Sequence, residues 1–188
     1  IYAQQKPMVF NHNETALPGD AFNVQGSGWS KNVELWGTVV KGNENSLSPS
    51  LPIKMISADE GCVTGVFPLE MSYRKNVLIA VWVKEGELYS EPFFLNRSRA
   101  VTMEFEEVMP GYVFRIFGRN LSLPGCKPIV TFIHPNSKQQ HQAVVVKAEP
   151  YVLTVQAPFD LEAGTHYQVM VNNGAGGAYG NSLAEERL

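Results

Sequence analysis

Residues 18–26 read PGDAFNVQG, and residues 110–118, 92 positions further along the chain, read PGYVFRIFG. In both stretches a Pro-Gly turn starts a short run of alternating apolar residues, and a glycine ends the run. Alternation with a period of two predicts a β-strand with one buried face. Proline and glycine at the ends supply the turn chemistry that such a strand needs. We therefore expect the same strand to be built twice.

A second block repeats in nearly the same register. Six positions recur 90 residues later, with Thr64, Pro68, Leu69, Ile79, Val81 and Gly86 followed by Thr154, Pro158, Phe159, Val169, Val171 and Gly176. Two blocks in register predict a tandem duplication of one module. The chain has 188 residues, which leaves roughly 90 residues for each copy, enough for a core of its own. We predict one module over residues 1–97, with an N-terminal extension, and a second over residues 98–182. Residues 183–188 form a predicted tail that leads to a further domain.

Period-two alternation predicts strands along most of the chain, and helical periodicity is almost absent. In the first copy the predicted strands are residues 21–25, 33–40, 54–58, 62–66, 77–83 and 89–95. In the second copy they are residues 101–105, 112–117, 129–133, 143–148, 151–156 and 167–172. The run 77–83 is almost wholly apolar, which predicts a strand buried on both faces. Short strands separated by Gly and Pro predict an all-β fold, two tandem immunoglobulin-like antiparallel β-sandwiches.

Composition limits the partners. The chain carries 18 acidic and 15 basic residues and has no run of lysine and arginine, which argues against a nucleic-acid partner. The longest apolar run, 77–83, is far too short to predict a membrane span. Cys62 and Cys126 occupy non-equivalent places in the two copies, so neither copy has a disulfide of its own. A bridge between the copies is the less common alternative.

The repeated pattern resembles a known class of module. Residues 110–121 contain Pro-Gly, an alternating apolar strand and Gly-x-Asn-Leu, and the first copy has Ser27-Gly28-Trp29 at the corresponding turn. The pattern is similar to that of the TIG (IPT) modules, which are early-set immunoglobulin-like β-sandwiches. That resemblance implies the same sandwich architecture that the alternation predicts.

A longer resemblance covers residues 158–182, which contain an Asn-Gly turn, a Gly-Gly pair and Tyr-Gly-Asn-Ser. This segment resembles the end of the β-sandwich region ahead of parallel β-helix domains in secreted bacterial proteins similar to pectate lyases and related glycoside hydrolases. Asn181 stands where that pattern has Trp. The resemblance implies a region that supports a catalytic β-helix downstream, in a full-length glycoside hydrolase or polysaccharide lyase. It also implies a secreted, periplasmic or cell-surface location.

The residues themselves show no catalytic constellation. The acidic pairs Asp59-Glu60 and Glu106-Glu107 are sequence neighbours, and neighbours on a strand point to opposite faces. His134 and His141 flank a polar loop and could meet across a hairpin, but a metal site needs a third ligand. We predict no catalytic, cofactor-binding or metal-binding residues, no cofactor, and no enzyme activity in this part of the protein.

Aromatic side chains are the remaining candidates, because a sugar ring stacks its C–H face on an exposed aromatic ring. Trp29, Trp36 and Tyr179 are the predicted carbohydrate contacts, although burial is the commoner fate of large aromatic residues. Polysaccharide and the downstream domain of the same chain are the predicted partners. The predicted function is a non-catalytic accessory region of a secreted polysaccharide-processing protein. The alternatives are spacer or protein-binding modules of a bacterial surface or adhesion protein, and, less favoured, an enzyme site formed by the two modules.

Overall fold

The computed structural model describes residues 5–71 and 77–184. The chain divides into two compact units, Ile1–Asn96 (unit 1) and Arg97–Leu188 (unit 2). Each unit contains two antiparallel β-sheets around one apolar core. The predicted fold class, an all-β chain of two tandem immunoglobulin-like sandwiches, is confirmed.

Unit 1 contains nine of the described strands. They are β1 (Met8–His12), β2 (Ala21–Ser27), β3 (Glu34–Val40), β4 (Leu51–Ile53), β5 (Met55–Asp59), β6 (Cys62–Val66), β7 (Leu78–Glu85), β8 (Leu88–Tyr89) and β9 (Phe93–Leu95). One sheet has the order β1-β2-β6-β5 and the other β4-β3-β7-β8, with β9 also paired to β7. A 3₁₀ helix, Leu69–Met71, follows β6.

The core of unit 1 is filled by the inward positions of both sheets. Phe22 and Val24 of β2 and Leu35 of β3 are at most 1% exposed, and polar residues alternate with Phe22 and Val24 on the outside of β2. Strand β7 differs, because every residue from Leu78 to Val83 is buried. This confirms the predicted strand buried on both faces. Two-sided burial follows from the almost uninterrupted apolar sequence of this segment.

Unit 2 repeats the arrangement with eight described strands. They are β10 (Arg99–Met103), β11 (Val113–Arg119), β12 (Ile129–Ile133), β13 (Gln140–Gln142), β14 (Val144–Ala148), β15 (Val152–Gln156), β16 (Gln168–Asn172) and β17 (Ser182–Leu183). The sheet orders are β10-β11-β15-β14 and β13-β12-β16-β17. Phe114, Ile116, Leu153 and Val171 are at the centre of the core. A second 3₁₀ helix, Gly177–Gly180, precedes β17.

The glycine at the end of the repeated stretch has the same environment in both units. Gly26 pairs with Val9 of β1, and Gly118 pairs with Ala100 of β10, each beside a shift in register of the first strand. A Cβ atom on Gly26 would lie 1.9 Å from the carbonyl oxygen of Met8. A Cβ atom on Gly118 would lie 2.1 Å from that of Arg99. Both positions therefore require glycine, because the neighbouring strand crosses too close for any side chain.

The strands differ from the expected ones mainly where they are short. The expected strand 89–95 is two strands, β8 and β9, with Pro92 between them. Proline cannot donate to a ladder, which explains the break. No helix in the described part of the chain has the length and apolar character needed to cross a membrane.

Candidate functional site

Trp29, one of the three predicted carbohydrate contacts, belongs to the core of unit 1. Its side chain is 6% exposed. The ring packs so closely on β2 that a Cβ atom on Gly26 would lie 2.3 Å from Cη2 of Trp29. Within the described residues its indole nitrogen has no hydrogen-bond partner. A ring packed on the backbone in this way offers no face to a sugar.

Trp36 lies on the face of β3 that points away from the core, since its neighbour Leu35 is buried inside. Its indole N–H donates a 2.8 Å hydrogen bond to Oε2 of Glu34. Nζ of Lys84 lies 5.5 Å from the centroid of the Trp36 ring and 3.4 Å from Oε1 of Glu34. The hydrogen bond from Trp36, together with Lys84, holds the pKa of Glu34 below its ordinary value. The half-buried indole is therefore fixed by a charged pair.

Three further aromatic residues share this face. Trp82 of β7 is directly opposite Trp36, Phe94 is opposite Ala80, and Tyr89 is opposite Lys84. Trp36, Tyr89 and Phe94 are half-buried, and Trp82 is buried. We call Trp36, Trp82, Tyr89 and Phe94 the aromatic face of unit 1. This face therefore combines aromatic ring surface with one carboxylate, that of Glu34, and one ammonium group, that of Lys84.

Tyr179, the third predicted contact, lies half-buried in the 3₁₀ helix of unit 2. It belongs to residues 172–182, part of the segment that resembles the region ahead of a β-helix, and we call residues 172–182 the clasp. Asn172 donates to the carbonyl of Gly177 at 2.7 Å and to Oδ1 of Asn181 at 2.8 Å. Asn173, with no exposed surface, donates to the carbonyl of Asn120 at 2.9 Å. The glycine-rich sequence is thus an ordered structure.

The clasp is also bonded to the first residues of unit 2. The hydroxyl of Ser98 donates to the carbonyl oxygen of Gly180 at 2.6 Å. The backbone N–H of Ala100 donates to the hydroxyl of Ser182 at 3.0 Å. The guanidinium group of Arg97 donates to the carbonyl of Asn181 at 2.8 and 3.3 Å. The entry and the exit of unit 2 are therefore held together by side-chain hydrogen bonds.

A cavity of about 500 Å³ opens in unit 2 between the β10–β11 loop and the β15–β16 loop. Val108 and Met109 line it from the first loop, Leu161 lines it from the second, and Met103 at the end of β10 completes its aliphatic lining. Phe132 of β12, Tyr167 directly before β16, and Val169 of β16 line its inner part. Three carboxylates, those of Glu106, Glu107 and Glu162, stand in its lining. We call this space the unit 2 cavity.

His134 and His141 both contact the ring of Tyr167 at the side of the unit 2 cavity. Their ring centroids lie 5.5 and 5.8 Å from that of Tyr167, each edge to face. Nδ1 of His141 lies 2.7 Å from Oδ2 of Asp160. This hydrogen bond holds the pKa of Asp160 below its ordinary value. Nε2 of His134 lies 3.6 Å from Oε2 of Glu162.

The described residues contain no group of three or more His, Cys, Asp or Glu side chains placed to hold a metal ion. Cys62 and Cys126 are not joined to each other by a disulfide, and each is half-buried. The pairing of β12 with β13 brings His141 opposite Phe132 and thereby into the Tyr167 cluster. Sequence reasoning singled out both histidines and Glu106-Glu107, but not the cavity that lies beside them. Most of its lining comes from two loops more than fifty positions apart, and no local sequence signal joins them.

Comparison with known proteins gives similarity only to solved structures. No protein-family model matches the chain, and no curated protein matches it. The chain is similar to the FN1–FN3 domains of chicken CNTN1, with a TM-score of 0.32 and 15% identity over 94% of this chain and 64% of that one. It is also similar to a chain from a study of Dscam isoform specificity, with a TM-score of 0.24 and 12% identity over 96% and 50%. The chain thus spans less than two thirds of either matched chain.

Proposed function

We propose that the two units are a non-catalytic accessory region of a secreted polysaccharide-processing protein. They support a catalytic β-helix that follows in the same polypeptide, and unit 1 helps to hold the polysaccharide. The observation that carries this proposal is the clasp, because the segment with the longest family resemblance is an ordered structure bonded to Arg97, Ser98 and Ala100. The function is to position another domain.

An ordered exit suits this role for a mechanical reason. A glycine-rich segment without side-chain bonds is a flexible linker and transmits no orientation. In the clasp, Asn172 and Asn173 satisfy backbone groups within and beside the segment, and Ser98 closes it from the other end of the unit. The polypeptide therefore leaves β17 with a direction that unit 2 determines. A domain that continues from this point is oriented and not merely tethered.

The aromatic face supports the carbohydrate part of the proposal. Trp36 and Tyr89 present ring surface next to Glu34 and Lys84. Apolar ring faces bind the C–H faces of sugars, and charged groups beside the rings bind sugar hydroxyls. Here Glu34 is bonded to the Trp36 indole, and the ammonium group of Lys84 lies over the Trp36 and Tyr89 rings. Trp29 takes no part, because it is buried. Tyr179 remains a second proposed contact, at the clasp.

The supporting role is tested on the gene and on the longer protein. We expect the coding sequence after Leu188 to continue into short, regular β-strand repeats, and a stop codon there would contradict the proposal. In the longer protein, Ser98→Ala removes the hydroxyl bonded to Gly180 and should lower polysaccharide turnover. Ser137→Ala, in the β12–β13 turn, is the control and should leave turnover unchanged.

The carbohydrate part is tested by glycan-array binding of the chain. We expect Trp36→Ala to reduce polysaccharide retention at least tenfold, because stacking and the Glu34 hydrogen bond are lost together (about 1.4 kcal/mol per factor of ten). Phe10→Ala is the matched control, since Phe10 is an aromatic residue of unit 1 that is 66% exposed and lies outside the aromatic face. Equal retention by both variants, or no retention of any glycan by the parent chain, would remove this part of the proposal.

One observation favours the second candidate, a spacer or protein-binding module of a surface protein. Strand β14 is at the edge of its sheet, and Val144 and Val146 on it are 60% and 58% exposed. An exposed apolar edge strand can pair with a strand of another protein. Strand addition would be abolished by Val146→Pro, whereas glycan retention would not change.

A further inference from the structure

We infer that the unit 2 cavity receives an arginine side chain presented by a partner protein. This inference is independent of the proposed function, because the cavity shares no residue with the clasp or the aromatic face and takes a different class of ligand. The volume of about 500 Å³ falls within the range of about 300 to 1,000 Å³ found for ligand sites. The cavity is also wholly contained in unit 2, between two of its loops.

The aliphatic lining of the unit 2 cavity suits the hydrocarbon part of an arginine side chain. Met103, Val108 and Met109 on one side and Leu161 on the other present unbranched or branched aliphatic groups. Long basic side chains bury such stems along apolar surface and keep the charged head near water. Methionine is well suited to this contact, because its flexible thioether adapts to the shape of what it packs against. The apolar lining thus selects a ligand with an aliphatic part.

The charges of the lining favour a ligand with a cationic head group. Glu106 and Glu107 are exposed and have no ion pair or hydrogen bond with the residues that the structure describes. Glu162 adds a third carboxylate, whose Oε2 lies 3.6 Å from Nε2 of His134. Among the described residues that line the cavity, His166 is the only one with a basic side chain. Lysine and arginine are absent from that lining. The carboxylates of Glu106 and Glu107, which have no charged partner among the described residues, attract a cation and repel an anion.

Arginine fits this combination better than lysine. Its planar guanidinium group binds carboxylates through two parallel hydrogen bonds and stacks on aromatic rings, and Phe132 and Tyr167 form the inner lining. Each loop contains a hydrogen bond that holds its backbone. The N–H of Tyr112 donates to the carbonyl of Met109 at 3.0 Å, and the N–H of Glu162 donates to the hydroxyl of Tyr167 at 3.0 Å. These bonds reduce the backbone ordering that binding requires.

The test follows methionine methyl resonances of the whole chain while short peptides are added. The chain has six methionines, of which Met103 and Met109 line the cavity. We expect the peptide acetyl-Ala-Arg-Ala-amide to shift the methyl signals of Met103 and Met109 and to leave those of Met8 and Met55 in place. Peptides with citrulline or norleucine in place of arginine keep the stem without the charge and should bind at least about tenfold more weakly. The lysine peptide should lie between them.

Variants test whether the carboxylates of Glu106 and Glu107 bind the arginine peptide. Glu106→Gln combined with Glu107→Gln should weaken the arginine peptide about tenfold or more, since two charged partners are lost without a change in shape. Glu149→Gln, an acid of unit 2 outside the cavity that pairs with Lys147, is the control and should bind like the parent chain.

Three results would overturn the inference. The first is equal affinity for the arginine and citrulline peptides, and the second is a double variant that binds as the control does. The third is a cationic amino-sugar oligomer that shifts Met103 and Met109 while the arginine peptide does not. Failure of glycan binding at the aromatic face has no effect on any of these outcomes.

Discussion

At the scale of single residues, the repeated glycines Gly26 and Gly118 explain why the two matching stretches end as they do. Each faces a backbone carbonyl of the preceding strand at a distance that excludes a Cβ atom. The two units therefore share a steric requirement, and the chain meets it twice with the same residue. At both places the register of the first strand shifts beside the glycine, as at a β-bulge.

We predict that Gly118→Ala lowers the stability of unit 2 by about 2 kcal/mol or more, because the methyl group would overlap the Arg99 carbonyl. The melting temperature should fall by roughly 10 °C. Gly125→Ala is the control, since nothing lies within 4 Å of its Cβ position. It should cost only about 1 kcal/mol, the strain of a left-handed backbone. Equal losses for the two variants would show that the carbonyl contact is unimportant.

A second residue-scale prediction concerns Asn173, which has no exposed surface. Its amide donates to the carbonyl of Asn120 at 2.9 Å and accepts from the N–H of Ala175 at 3.1 Å. Asn173→Ala leaves buried backbone groups without these partners and should cost about 2 to 3 kcal/mol in chemical unfolding. Asn136→Ala in the exposed β12–β13 turn should cost much less, and a comparable loss there would contradict the argument.

The pair Asp160–His141 predicts a pH dependence. The hydrogen bond from His141 lowers the pKa of Asp160 in the folded state, so the folded chain binds the proton less readily than the unfolded chain. The stabilising contribution is therefore present above the ordinary aspartate pKa, near 3.8. It is lost as the pH falls through the lowered value. Unfolding free energies measured downward from pH 5 should decline less steeply in Asp160→Asn than in the parent chain. Asp59→Asn is the control and should decline as steeply as the parent chain. A decline in Asp160→Asn as steep as that of the control would exclude this contribution.

At the scale of elements, the sequence predicts best where strands are long and alternate cleanly. The expected strands 62–66 and 129–133 agree with β6 and β12 at both ends. Alternation and β-branched residues specify these strands locally. Strands β1, β4, β13 and β17 have no counterpart among the expected strands. Strand β13 reads Gln-His-Gln and is a strand only because β12 pairs with it. Pairing with a distant neighbour overrides local preference in such short polar segments.

The candidate site residues also differ in how far the sequence predicts them. The inward side of β3 follows from alternation, and this places Trp36 on the outer face once Leu35 is assigned to the core. Trp29 could be assigned to the core only with the structure, because its turn gives no period from which to infer burial. The unit 2 cavity requires the packing of two loops whose sequences carry no common pattern. The sequence predicts which of two neighbouring strand residues faces the core. It does not predict which residues of two distant loops come together.

The edge strand β14 leads to a prediction about association. Val144 and Val146 are exposed on a strand whose outer edge pairs with no other strand in the described part of the chain. Replacing both by lysine should reduce light scattering during heating, because charged side chains on an edge oppose strand pairing between molecules. The melting temperature should change little, since neither side chain is in the core. Scattering as strong as that of the parent chain would show that association occurs elsewhere.

At the scale of the whole molecule, each unit has a core that contains only its own residues. We therefore propose that the boundary between Asn96 and Arg97 separates two independently folding domains. Residues 1–96 and 97–188, expressed separately, should each show a β-sheet circular dichroism spectrum and a cooperative thermal transition. Unfolded amide chemical shifts in either piece would show that it depends on the other.

The bonds between Ser98 and Gly180, and between Ala100 and Ser182, place the first and last strands of unit 2 side by side. Domains whose termini are adjacent tolerate circular permutation and insertion into loops of unrelated hosts. The geometry of unit 2 therefore suits its insertion, as a whole domain, into another protein. Evolution could splice it into a surface loop of another scaffold with little strain on the recipient, because the gap that the insertion must bridge is already closed.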